Sequence, residues 1–478
     1  MRKEPIVVQL ELAKKRCRRV IERIEALPAF NNNINASCQH TLLKLAQSEL
    51  SFLCRSSSAL NSLSVNIGHI EAVVHILQQP FITGVSRVCK PIFLSPTTKN
   101  GQKSDSCSKG VHVDIVCTLN RNPVWILVSD RNPKYILWNQ SKKYKGLKFR
   151  IEQILIAAKS SIALKPSSII LFFSNGLGSL VYEKLKEEFG AAELGLEFSV
   201  FDFDFTEDSE GEWINVLART YQEACILEIK VYEIRHAVKA EASECDAKGS
   251  SPVAAEAEVS EDHMERNMGF SFCFLLSRME VCLLHVKDAE RTKLQNLLGG
   301  GDFINFDTTA LIALISGISN GATKKLLATP EGELRQRFKG NYEFVIGQVM
   351  SEIQNPMHME LGSILSGKRG IICGSVCSEF KDLVAMCGGS NEKLRAAYLL
   401  RKLMSFGALM VVPDCPSDRM MSLPTTRKLA LKNKLVFGTG DYWHAPTLTA
   451  NMAFVRAISQ TGMSLFTIVH KPRALTGD

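Results

Sequence analysis

The stretch FINFDTTALIAL, Phe303 to Leu314, decides how the C-terminal part of the chain is read. An apolar run ends at a single carboxylate, Asp307, followed by two threonines and then an apolar pattern at helical spacing. Leu311, Ile312, Leu314, Ile315 and Ile318 share most of one helix face. The pattern predicts a buried strand that stops at Asp307 and a helix that starts at once, with Thr308 or Thr309 capping its first turn. A carboxylate at the C-terminal end of an α/β strand stands where such sheets build their sites. At the same position, Asp307 can equally be no more than the helix N-cap.

The residues downstream repeat the pattern. In RGIICGSVCSEFKDLVAMCGG a strand, Ile371–Cys373, is followed by Ser375 as a cap and a helix that carries Glu379. A helix, NEKLRAAYLLRKLMSFG, leads to the strand ALMVVPD, and KLVFGTG reads as a third strand ending at Asp441. The helix TLTANMAFVRAISQTG and the strand MSLFTIVH follow.

Upstream, residues 1–80 read as three helices, broken at Asn31–Asn33 and Asn35 and closed by Pro80. The run KKRCRR, Lys14 to Arg19, is the densest basic cluster. It suits a solvated helix face, with an RNA or phosphate contact as the sharper alternative. Residues 81–237 alternate strands and helices. Val111–Thr118 and Val124–Ser129 read as a hairpin or adjacent strands across NRNP, then come an amphipathic helix in GLKFRIEQILIAAKSSI, the strand of SIILFFSNG and the helix SLVYEKLKEEFG. FDFDFTEDSEGEW, Phe201 to Trp213, suits a strand with one polar face, and it lacks the glycine a calcium loop needs. Residues 238–268 carry eight acids against three bases and few large apolar residues, which predicts a flexible linker.

Composition sets outer bounds. The chain has 478 residues, 45% apolar and 22% charged, and a net charge of +8, enough for two to four ordinary globular domains. Two mildly basic blocks flank the acidic linker, a balance that permits nucleic-acid binding without requiring it. The first residues form a charged helix with no apolar signal region, and no run has the length to span a membrane. The fourteen cysteines show no CxxC pair and no Cys/His cluster at zinc spacing. Reduced thiols in a cytoplasmic or nuclear protein are the expectation.

Two resemblances add to this reading. Asp114 on one strand, with VWILVSDRNPK on the next, resembles a metal-dependent nuclease fold that places Asp and then Glu-x-Lys on successive strands. Trp125, Ile126 and Leu127 stand where the Glu and Lys belong, so this block reads as an inactive or structural module. The C-terminal order of elements resembles a PIN domain, an α/β fold of metal-dependent ribonucleases. Asp307 matches its first acid and Glu379, in SVCSEF, its second. Asn451 and His470 stand on the elements that hold the later acids, and Asp441 is the carboxylate that could replace them from a nearby loop. Nearly the whole chain resembles a eukaryotic family whose C-terminal half is a domain of unknown function (1308) grouped with PIN-like folds. NFDTTAL, FGTGD, TANMAFVRA and HKPRAL carry that resemblance.

The expected fold is therefore α/β. An N-terminal helical plus α/β domain spans 1–237, the linker 238–268, and a PIN-like domain with a mainly parallel sheet 269–478. The resemblance implies Mg²⁺ or Mn²⁺ on Asp307, Glu379 and Asp441, with Thr308 or Asn451 orienting water. Arg456, Lys471 and Arg473 are the candidate phosphate contacts. Glu352 is the second choice for the acid at Glu379, and His470 is a base, a ligand or a packed strand-end histidine. The implied activity is RNA hydrolysis. The alternative is a catalytically degenerate module that binds RNA or protein partners, and the turn in FGTGD offers a weaker phosphate-binding reading.

Overall fold

A computed structural model describes residues 6–30, 34–55, 66–93, 110–139, 146–196, 221, 223–231, 268–279, 303–406 and 409–478. The chain divides into two compact units. The first comprises residues 1–231 with 416–446 and 452–467, and the second comprises 232–415, 447–451 and 468–478. A contiguous C-terminal domain over 269–478 was the expectation from the acidic segment. By contact, residues 416–446 and 452–467 group with the first unit, and no change of composition marks these boundaries. The expected linker (238–268) apart from Met268, and the strand at Phe201–Trp213, lie outside the described residues.

The first unit opens with helices α1 (Ile6–Phe30), α2 (Ala36–Arg55) and α3 (Ile67–Leu77). Strands β1 (Ile82–Ile92), β2 (Val111–Leu119) and β3 (Asn122–Ser129) follow, then α4 (Leu147–Ser160), β4 (Ser168–Phe173), α5 (Ser179–Phe189), β5 (Ala192–Glu193) and β6 (Cys225–Lys230). The sheet order is β1-β2-β3-β4-β6-β5. Among the described strands of this sheet only β3 and β4 pair in parallel, Leu127 against Leu171, and α4 is the crossover between them. One apolar core joins α1–α3 to the sheet, with Ile24, Leu42, Val74, Ile115 and Phe172 buried; a second gathers Trp125, Ile154, Leu171 and Leu185 with α4 and α5. β1 has no plain sequence signal, because Gly84 and Pro91 punctuate it and its register slips between Thr83 and Arg87.

The KKRCRR cluster lies on α1, where Cys17 is buried, Arg16 pairs with Glu71 and Lys14 with Glu11 at 2.7 Å. It is a partly paired helix face.

The second unit holds α6 (Phe270–Arg278), β7 (Phe303–Phe306), α7 (Thr308–Ile315), α8 (Thr323–Ala328), α9 (Glu331–Phe338), α10 (Tyr342–Gln354), α11 (Met357–Leu365), β8 (Arg369–Cys373), α12 (Gly374–Cys387), α13 (Ser390–Phe406) and β9 (Leu409–Val412). Then α14 (Asp418–Met421) and α15 (Leu431–Tyr442) lie in the first unit, β10 (Thr447–Thr449) in the second, α16 (Met452–Thr461) in the first, and β11 (Thr467–Val469) completes the second sheet. That sheet runs β11-β10-β7-β8-β9, with the β10/β7, β7/β8 and β8/β9 pairs parallel. Helices flank it, so the α/β reading holds. Numbered within the sheet, the strands run 5-4-1-2-3. The order therefore reverses between β7 and β10, the switch point outside which such sheets bind ligands at their carboxyl ends.

Three local expectations are corrected. KLVFGTG is the body of helix α15, not a strand, and Asp441 sits in its last turn. Val436, Phe437, Gly438, Thr439 and Gly440 are all buried there, so the segment shows no amphipathic period, and a short apolar run cannot be told from a strand. Gly438 belongs to packing, since a Cβ there would stand 2.7 Å from Pro416 Cβ. Neither Thr308 nor Ser375 caps its helix. Asp307 caps α7, and α12 starts at Gly374 after Cys373 without a side-chain cap. Among the described residues, no helix is long and apolar enough to cross a membrane.

Candidate functional site

Asp307 ends β7 at the switch point, as the strand–helix junction in its sequence predicts. Its Oδ1 accepts from Thr309 Oγ1 at 2.6 Å and from the Ala310 amide at 2.8 Å. Thr449 Oγ1, at the end of β10, donates to Oδ2. The threonines are held in turn: the Ala450 amide donates to Thr309 Oγ1 at 2.8 Å and the Asn451 amide to Thr449 Oγ1 at 2.9 Å. Burial pushes the Asp307 carboxyl up, opposed by these hydrogen bonds. The residue is 5% exposed. The arrangement locks β7, β10 and the start of α7 together across the switch point.

Of the other predicted residues in this unit, Glu379 lies near Asp307, and Thr308 Oγ1 donates to its Oε2 at 2.7 Å. Thr308 thereby orients Glu379 and is no cap. Asn451 enters through its amide, on Thr449. Arg473 is buried and its Nε donates to Glu352 Oε2 at 2.7 Å, with Met357 N donating to Glu352 Oε1 at 3.0 Å. Arg473 and Glu352 form a structural ion pair, so neither is free for phosphate or metal. Lys471 is exposed.

Asp441 and Arg456 are not part of this edge but belong to the first unit. Ser417 Oγ donates to Asp441 Oδ2 at 2.5 Å, and Arg419 Nε lies 3.8 Å from the same oxygen. The reason is again α15: a helix carries Asp441 where a strand end was expected. Arg456 is exposed on α16.

One acid at the edge escaped selection. Asp414, in ALMVVPD, follows β9 and is exposed, and its Oδ1 accepts from the Ser375 amide at 3.0 Å. Its signal was the one that picked out Asp307, a carboxylate just past a short apolar strand.

His470 is the packed strand-end histidine. Its Nδ1 donates to the Lys471 carbonyl at 2.9 Å, its Nε2 is buried without a partner, and burial lowers its pKa from 6.5 to about 4. A folded-state pKa below the unfolded one means that the stabilisation is full above pH 6.5 and is lost as pH falls toward 4. His470→Gln, which does not titrate, is expected to flatten the fall of thermal stability between pH 7 and pH 4.5, by on the order of 1–3 kcal/mol. Asp307 and Glu352, both pushed up by burial, act in the opposite sense, so the test is the difference between the two proteins' melting curves.

The first unit carries a cavity of about 380 Å³ beyond the carboxyl ends of the parallel pair β3 and β4, where Ser129 and Phe173 line it. Leu127, Leu171 and Ile151 make an apolar floor, and Arg131, Lys134 and Arg150 stand around it with Tyr135. Tyr135 is 74% exposed, a flat aromatic ring at the rim. Sequence reading passed over this site, because its cations are spaced along a turn and a helix and form no run.

No solved structure matches the chain. Residues 304–478, which include the Asp307 edge, match the family described as "Protein of unknown function (DUF1308)".

Proposed function

We propose that this protein binds RNA and does not cleave it: a PIN-like α/β module with its first acid built into the scaffold, in one chain with a basic cavity that takes the phosphates. The observation that carries binding is the cavity of the first unit. Three cations face an apolar floor and an exposed tyrosine, the chemistry that receives a phosphate together with a stacked base. What separates binding from hydrolysis is Asp307. A carboxylate that serves Mg²⁺ or Mn²⁺ presents oxygens to the ion and its waters. Both oxygens of Asp307 already accept from Thr309, Ala310 and Thr449, inside the protein.

Hydrolysis remains the second reading, favoured by one observation: Asp307, Glu379, Asp414 and Asn451 all follow strands at the same carboxyl edge. In that reading Glu379 and Asp414 hold Mg²⁺ or Mn²⁺ and Asp307 must leave its lock.

Fluorescence anisotropy of a labelled single-stranded RNA tests binding. Two or three phosphates neutralised give a log–log salt slope of roughly −1.4 to −2. Arg131→Glu with Lys134→Glu is expected to weaken binding at least about tenfold and to flatten that slope. Equal affinity and slope in this variant would remove the cavity from the account.

A further inference from the structure

The first unit also brings together donors of a different kind. His69 lies in the first turn of α3, Cys89 on β1 and Asp114 on β2. One ligand atom from each lies within 4.8 Å of the others, the only such group of three among the described residues. His69 Nε2 is 3.1 Å from Asp114 Oδ1, and His112 Nδ1 is 3.7 Å from the same oxygen. The backbone is shaped for this meeting. Cys89 and Asp114 stand opposite each other between the pairs Val88↔Ile115 and Lys90↔Val113, and Cys89 takes a left-handed φ of 48° inside its strand.

We propose that His69, Cys89 and Asp114 form a Zn²⁺ site, with the fourth position open to water or to the neighbouring His112. The donor set decides the metal: one thiolate, one imidazole and one carboxylate, with a second imidazole beside them, suit zinc and exclude the hard ions that take oxygen alone. Tetrahedral zinc holds its donors about 2.0–2.3 Å away, which puts neighbouring ligand atoms about 3.4 Å apart. The 3.1 Å between His69 Nε2 and Asp114 Oδ1 is close to that spacing, and the Cys89 donor lies within 4.8 Å of both. Asp114 is also supported as a ligand should be, since the Val128 amide donates to its Oδ2 at 2.8 Å and leaves Oδ1 for the ion. His112 is 54% exposed on its side chain, so the ion has a way in from solvent. The nearby Arg150, with Nη2 3.9 Å from Asp114 Oδ2, faces the oxygen that the ion does not use. Cys89 gives up its thiol proton as the Zn–S bond forms, so binding releases one proton to the buffer.

Arg150 borders both this cluster and the cavity, so the test involves no RNA and leaves Arg150 unchanged. The full chain is stripped with a chelator and titrated with Co²⁺ and then with Zn²⁺ against a competing chromophoric chelator. One ion per chain is expected, with visible d–d bands of tetrahedral Co²⁺ and a near-ultraviolet thiolate-to-cobalt band that zinc abolishes. Cys89→Ser should lose the thiolate band, and His69→Ala should weaken zinc binding at least about tenfold while circular dichroism stays unchanged. His112→Ala should weaken it less, because water can take the fourth position. A wild-type chain that binds no Co²⁺, or a His69→Ala/Cys89→Ser chain that binds zinc as tightly as wild type, overturns the proposal.

Discussion

Glu392→Ala is expected to cost the second unit more than about 4 kcal/mol, an effect at the far end of what one substitution does. Glu392 is 0% exposed on α13, and its carboxylate accepts five hydrogen bonds. Oε1 takes the amides of Gly317 at 2.9 Å and Thr476 at 2.8 Å, together with Thr476 Oγ1 at 3.2 Å. Oε2 takes the amides of Gly389 and Gly477, each at 3.0 Å. Alanine leaves four backbone N–H groups and the Thr476 hydroxyl without this acceptor; the bonds from Gly317 and Thr476 are buried and those from Gly389 and Gly477 partly so. The cost is about 1–3 kcal/mol for each group that water cannot reach. The backbone around the carboxylate is closely packed, since a Cβ on Gly389 would stand 2.2 Å from Asp478 O. Glu392→Gln keeps one acceptor oxygen and the shape, so it should cost less than Ala. Differential scanning calorimetry checks both: in a chain of this size the Ala variant should lower the melting temperature of its unit by roughly 8 °C or more.

Arg473→Ala should come next, at about 3–5 kcal/mol, since it strands a buried carboxylate. Arg473 Nε donates to Glu352 Oε2, and Arg473 Nη2 reaches the Asn355 carbonyl at 3.3 Å. With the guanidinium gone, Glu352 keeps the Met357 amide and the weaker influence of His358 against a desolvation that already pushes its carboxyl up. The carboxyl then protonates more easily, so the variant should lose less at pH 5 than at pH 8. Replacing both partners by apolar residues, Arg473→Met with Glu352→Leu, should restore most of the stability, because no charge is left to bury. Urea denaturation of the two single variants and the double variant gives the coupling directly. A double variant as unstable as Arg473→Ala would mean that the arginine acts by packing alone.

These two networks show what kind of site the sequence could announce. The strand–helix junction at Asp307 was legible, because a run of apolar residues, one carboxylate and a helical period coincide within twelve residues. Its role was not, because the deciding partner is Thr449, 142 positions away along the chain. HKPRAL looked like a source of phosphate ligands from its charges. Arg473 turned out to be spent on Glu352, and Ala474 N donates to Gln348 Oε1 at 2.6 Å. FGTGD failed for a local reason: glycine signals a turn when exposed, but Gly438 and Gly440 lie in a helix buried on most sides. β2, β3 and β4 were plain from their apolar runs, while β1 was hidden by its bulge and proline. The return of residues 416–446 and 452–467 to the first unit left no mark in composition. The metal-type cluster at Cys89 was also hidden, because its donors come from three separate elements and match no ligand spacing along the chain.

The measurement that bears most directly on the account is the fate of RNA held by this protein in Mn²⁺. A 5′-labelled single-stranded RNA is brought to saturation with the full chain in low salt and Mn²⁺, followed by anisotropy, and then run on a denaturing gel. The account predicts an anisotropy rise that the Arg131→Glu/Lys134→Glu variant loses, with the RNA recovered intact from both. Cleavage by the wild-type chain that disappears in Glu379→Gln and in Asp307→Asn would contradict it, and would return the carboxyl edge of the second unit to catalysis.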